Sequence, residues 1–169
     1  MTHNKYFPTL VFGFAAAVLT IIPGLRSFAC CLIIPAASWL ALYISQRMHN
    51  FENGITSSIA FKFGALTGLY AALFSTIIEI LMTYILKSNE ITQTLPQIEI
   101  LFSQYNLGEM MDESLKLIHQ MADDIDKYGF SLLFTFFLLF NNLLVDIIFG
   151  IVGGFIGMAF LNKKYNNPE

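Results

Sequence analysis

The sequence predicts an all-α polytopic membrane protein with four transmembrane helices and an extramembrane helical hairpin between spans three and four. Three observations carry that expectation. Mean hydropathy is +0.63, and 56% of the 169 residues are hydrophobic while only 12% are charged, a balance far outside that of soluble domains. Four runs, at 7–25, 28–44, 55–86 and 130–161, are apolar for most of their length, and about 20 such residues cross a hydrocarbon core of ~30 Å. Between the last two runs lies one long polar, acidic stretch, residues 88–129. None of the runs alternates in polarity as barrel strands do, and a helix satisfies its own backbone in lipid.

The first run follows a short head with Lys5, and "SFAC" at 27–30 has the outline of a lipoprotein cleavage box. Ser27 occupies a position where that box needs an aliphatic residue, and Arg26 stands beside it, so the run reads as an uncleaved span. "IIPGLRS" at 21–27 leaves room only for a tight turn, with Pro23 and Gly24 as breakers, so the first two spans form an antiparallel hairpin. Cys30 and Cys31 are neighbours, which rarely bridge each other, and no CxxC or Cys/His cluster accompanies them. They read as packed or lipid-facing small residues. A polar link, "SQRMHNFENG" at 45–54, leads to span three. Residues 1–54 therefore form a first transmembrane hairpin with its link, and residues 55–169 a second one with 88–129 inserted.

The insert reads as two amphipathic helices. Ile98, Leu101, Phe102 and Tyr105 fall at i, i+3, i+4 and i+7 after Pro96, a residue suited to a first helical turn. Asn106 with Glu109 resembles a capping box for a second helix, in which Met111, Leu115, Ile118, Ala122 and Ile125 repeat the spacing. These stripes can be buried against each other, on the membrane surface or on a partner. "ADDIDK" at 122–127 lacks the alternating oxygen ligands and turn glycine of a calcium loop and reads as a solvated face.

Orientation follows from Lys and Arg near span ends. Lys5, Arg47, Lys62, Lys163 and Lys164 share the side of both termini, against Arg26, Lys87 and Lys127 on the other. Both termini are expected in the cytoplasm, and the acidic insert outside it.

The two long runs carry their polar and small residues on single faces. In the fourth, Asn142, Asp146, Gly150, Gly153 and Gly157 step by three or four, with Asn141 and Gly154 beside them. In the third, Ala60, Gly64, Gly68, Ala72, Ser75 and Glu79 do the same. Helices in lipid associate through small-xxx-small faces helped by interhelical hydrogen bonds, so these stripes are expected to meet. Matching the ends of the two antiparallel runs gives a register in which residue numbers sum to about 216. Asp146 would then lie level with Tyr70, and Asn141 and Asn142 beside Ser75 and Phe74. The expected polar network is Tyr70, Ser75, Glu79, Asn141, Asn142 and Asp146. Within it, Asp146 acts either as glue, bonded to Tyr70 or Thr67 and fixing the register, or as part of a proton or cation path with Glu79. Glu79 is close enough to Lys87 to reach the interface, and Lys62 reads as a snorkelling cation.

The tight first hairpin, the glycine-rich third span from "GALTGLYAALFSTI" at 64–77, the acidic insert and the closing "GIVGGFIGMAFLNKK" at 150–164 resemble small bacterial four-span inner-membrane proteins of the DUF 4199 type. That resemblance implies topology and a multi-pass place in a bacterial inner membrane, and nothing more, because the family carries no catalytic residues to transfer.

An enzyme is not expected. The chain has no GxSxG, HExxH, P-loop or dinucleotide fingerprint, and its histidines, His3, His49 and His119, are scattered. No cofactor and no metal is implied. The broad Phe and Leu faces and the amphipathic insert point to an accessory, scaffold or assembly subunit whose partners are lipid and other membrane proteins or further copies of itself, not nucleic acid. The alternative is a small ion-coupled transporter or cation conduit using Asp146 and Glu79.

Overall fold

A computed structural model describes residues 5–22, 24–49, 54–87, 90–104 and 109–166. The described residues contain helices and turns and no strand. Six α-helices follow in order: α1 (Phe7–Ile21), α2 (Ile34–His49), α3 (Ser57–Leu86), α4 (Glu90–Gln104), α5 (Glu109–Tyr128) and α6 (Leu132–Asn166). Three helical stretches among the described residues are long and apolar enough to cross a membrane: Arg26–His49, Ser57–Leu86 and Leu132–Lys163.

The first expected span is shorter than its apolar run. α1 opens on Pro8, suited to a first turn, and ends at Ile21, because Ile22 turns to extended backbone and Gly24 takes a positive φ of 92°. Fifteen residues rise about 22 Å. Pro23, the other expected breaker, lies outside the described residues. The chain then winds through a 3-10 turn, Arg26–Phe28, and a π-helical turn, Ala29–Ile33, into α2. The widened turn has a local cause: Pro35 has no N–H for the Cys31 carbonyl four residues back, and the wide turn spans that break. Helix α2 also continues five residues into the expected polar link. Arg47 stacks over the Tyr43 ring at 5.2 Å, and Ser45 donates to the Lys5 carbonyl at 3.2 Å.

The chain divides into two compact units. The first, Met1–Ile77 with Leu139–Glu169, holds α1, α2 and most of α3 and α6. Its core is built on Ala41, Leu42, Ile55, Ala60, Phe63 and Leu161. Beside it Ala16, Ala37 and Ala71, one from each of α1, α2 and α3, form a second cluster. Alanine on three neighbouring helices lets the backbones approach closely, which is how helices gain contact where lipid competes equally well for apolar surface. Asn162 ties the end of α6 to the start of α3: its amide accepts from the Ile55 N–H and donates to the Ile55 carbonyl, both at 2.9 Å.

The second unit, Ile78–Leu138, contains the end of α3, helices α4 and α5 and the start of α6. The stripe of α5 is spent inside it, since Met121 and Ile125 pack with Phe134 and Leu138, with Ile80, Ile91 and Leu133 around them. Of the destinations open to the α5 stripe on sequence grounds, this one was not foreseen, because it uses the ends of the long helices. Helix α4 begins at Glu90 and carries Pro96 in its interior, a turn and a half earlier than expected. Tyr105 and Asn106, assigned to the first stripe and to the cap of the second helix, lie outside the described residues. His119 pairs with Glu99 at 3.1 Å, both half exposed, and ties α5 to α4. In the acidic run Asp123 and Asp126 are exposed, whereas Asp124 accepts from Ser131 at 3.3 Å. Ser131 in turn accepts from the Phe134 N–H at 3.4 Å and so caps α6, with an acid near the helix N-terminus where its charge is favourable.

Candidate functional site

Helices α3 and α6 run antiparallel in the first unit and touch backbone to backbone at three successive levels. A β-carbon on Gly64 would lie 2.5 Å from the Gly150 carbonyl oxygen and 2.7 Å from the Ile151 Cα. One on Gly154 would strike the Ala60 carbonyl, and one on Gly68 the Asp146 carbonyl. Residue numbers of these pairs sum to 214, two fewer than the register obtained by matching run ends. Helix ends need not align. Contact is set by where glycine allows approach, and Gly64, Gly68, Gly150 and Gly154 supply those places.

That shift relocates the polar groups. Asp146 lies level with Gly68 instead of Tyr70. The Tyr70 β-carbon turns toward α1, 2.7 Å from where a β-carbon on Gly13 would stand. Thr67, the other expected partner, donates to the Phe63 carbonyl in its own helix at 2.8 Å. Asp146 is only 9% exposed, and among the described residues none hydrogen-bonds to its carboxylate. The half-buried Cys30, in the π-helical turn, lies within coulombic reach of it.

Asn142 makes the interhelical bonds expected of this face. Its Nδ2 donates to Thr76 Oγ1 at 3.0 Å and to Ser75 Oγ at 3.4 Å, while Ser75 donates to the Ala72 carbonyl at 3.1 Å. Ala72, Ser75 and Thr76 are all buried. Thr76 was not among the expected residues. Its signal was present, since it adjoins Ser75 and a short amide spans two neighbouring hydroxyls as readily as one. Asn141 points the other way and is exposed. Glu79 belongs to the second unit, is half-buried, and does not stand without a partner.

The α6 glycines divide between two neighbours. Gly150 and Gly154 serve α3, whereas a β-carbon on Gly153 would collide with the Pro35 backbone of α2, and one on Gly157 would lie 2.9 Å from Trp39 Cδ1. Positions 153 and 154 sit about 100° apart around a helix, enough to face different partners. What looks in sequence like one stripe is two adjoining ridges. Pro35 and Gly13, which receive α6 and α3 at these contacts, carried no comparable periodic signal.

Replacing Asn142 with leucine removes both interhelical bonds while leaving an apolar side chain in place. We expect a loss of about 1 kcal/mol, given averages near 0.6 and maxima near 1.7 kcal/mol for such bonds in membranes. Thermal unfolding in detergent measures it; Thr76→Val should cost about as much, and the double variant little more than either alone, because the bond is shared.

No family model, no curated protein and no solved structure matches the chain. Among the described residues no group of His, Cys, Asp and Glu is arranged to hold a metal ion.

Proposed function

We propose that the chain is a four-span accessory or assembly subunit of a bacterial inner-membrane protein complex, with both termini cytoplasmic and the acidic α4–α5 segment outside as a helical hairpin. The observation that carries this reading is the backbone contact of α3 with α6 at Ala60/Gly154, Gly64/Gly150 and Gly68/Asp146. Contact that close leaves no water-filled route between these two helices, so the face that holds Ser75, Thr76, Asn142 and Asp146 serves cohesion. The surfaces turned outward are Phe- and Leu-rich, among them Phe136, Phe140, Leu144 and Phe160 of α6. In this reading α1 is the fourth span, packed on α2 and on Gly13's partner Tyr70, and its modest length is compensated by the turns that follow it.

Co-purification in mild detergent tests the function. A companion membrane protein at fixed stoichiometry, whose own complex fails to assemble when this chain is deleted, is the expected result. A chain that purifies alone from cells in which all membrane complexes assemble normally overturns it. Orientation has its own test, in a background with Cys30 and Cys31 replaced by serine. Gln120→Cys is expected to react with an impermeant thiol reagent added outside intact cells, and Lys163→Cys only after lysis; the reverse pattern inverts the topology.

The conduit reading keeps one specific observation in its favour. Asp146 is a buried carboxylate with no hydrogen-bond partner among the described residues, and intramembrane carboxylates often mark ion routes.

A further inference from the structure

Asn141 is the anomaly on the outer face of α6. It is exposed and, among the described residues, makes no hydrogen bond, although it lies nine residues, about 14 Å, inside a helix apolar enough to span a membrane. A lone amide facing hydrocarbon keeps its hydrogen-bonding groups unsatisfied, at a cost that favours pairing. Its neighbours on that face have a particular order. Asn141, Leu144, Ile148, Ile151 and Phe155 step by three, four, three and four, the spacing of a coiled-coil seam. Leu144, Ile148 and Phe155 are exposed, and Ile151 is half-buried. In heptad terms Asn141, Ile148 and Phe155 stand at a, and Leu144 and Ile151 at d. A single asparagine at a specifies register and oligomer state.

We propose that α6 pairs in parallel with α6 of a second copy of this chain, along a seam whose polar centre is Asn141 against Asn141. A second copy is the occupant that the chemistry selects. The amide is both donor and acceptor, so two of them related by a two-fold axis satisfy each other. Two copies inserted with the same topology also bring Asn141 to the same depth without any further adjustment, whereas an unrelated helix would have to supply a matching polar group there. The outer face of α6 remains free for this arrangement, because Gly150 and Gly154 are turned to α3 and Gly153 and Gly157 to α2. The inference rests on α6 crossing the membrane and does not depend on the accessory-subunit reading.

Its test uses the purified full chain alone in liposomes, so that no other protein is present. Energy transfer between donor- and acceptor-labelled copies, followed as lipid dilutes the protein, is expected to report a dimer. Asn141→Leu should require at least about tenfold higher protein density to dimerise, and Asn141→Gln, which retains the amide, should stay within a few-fold of the original. With Cys30 and Cys31 replaced by serine, Asn141→Cys should form a disulfide-linked dimer under mild oxidation much faster than Ile156→Cys, an exposed position off the seam. A monomer at every density, an Asn141→Leu variant that dimerises as well as the original, or equal crosslinking at 141 and 156 would each overturn the proposal. Failure here leaves the co-purification result untouched, and a missing companion protein leaves the dimer untouched.

Discussion

Leucine at Gly64 or at Gly68 is expected to drive α3 and α6 apart and to cost at least about 3 kcal/mol, at or beyond the upper end of ordinary overpacking. The reason lies in what the new side chain meets. At Gly64 the first added carbon already stands 2.5 Å from the Gly150 carbonyl oxygen, and at Gly68 it strikes the carbonyl of Asp146. A flexible side chain can swing aside, but a backbone carbonyl inside a helix moves only with its helix. Separation would break the contacts at all three levels together and pull Asn142 from Ser75 and Thr76. Alanine at Gly64 should already cost about 1 to 3 kcal/mol, since the β-carbon is itself the clash. Leu73→Ala, at an exposed position of the same helix, should change stability by less than about 0.5 kcal/mol. Melting in detergent, read by a probe of tertiary structure, ranks the four variants. Wild-type melting for both leucine variants would mean that the close contact does not exist.

How far the sequence could lead to this contact depends on which physical signal set each feature. Helical class is legible because long apolar runs have few solutions in lipid, and those of 55–86 and 130–161 differ little from α3 and α6. The meeting of their small-residue faces is legible too, from steps of four at Gly64 and Gly68 and at Asp146, Gly150 and Gly154. Run ends place the register two residues off, because they mark where polarity changes, whereas glycine marks where backbones can touch. Superposing glycine on glycine would have recovered it. The assignment of Gly153 and Gly157 to α2 was hidden for a different reason: a helix has neighbours on several sides, and spacing names a face without naming its partner. Tyr70 illustrates the same limit, since its level on α3 says nothing about its azimuth toward Gly13. In the second unit, Ile118, Ala122 and Ile125 show a stripe plainly, yet Ile118 and Ile125, with Met121 beside them, are covered by Phe134 and Leu138 of α6, a long-range choice that local periodicity does not encode. Helix α4 running through Pro96 is a tertiary override of a local rule.

Asp146 offers the second large effect, and one of opposite sign. A buried polar group without a partner costs about 1 to 3 kcal/mol, so removing it should stabilise the fold. Asp146→Val, apolar and near the original in size, is therefore expected to raise stability by about 1 kcal/mol or more. Asp146→Asn keeps shape and polarity and should change it by less than about 0.5 kcal/mol. The sequence-based picture of a carboxyl bonded to Tyr70 or Thr67 gives the contrary sign for Val, a loss near the 0.6 kcal/mol average for interhelical bonds. Melting in detergent separates these two accounts. Flux of protons or sodium in proteoliposomes, measured on the same three proteins, separates structure from transport. An accessory subunit should show no flux that depends on residue 146. A conduit needs a group able to carry charge, so its flux would vanish in Asp146→Asn while the fold stayed intact. Flux in the original protein, lost in that variant at unchanged melting temperature, would replace the accessory reading with an ion path through Asp146.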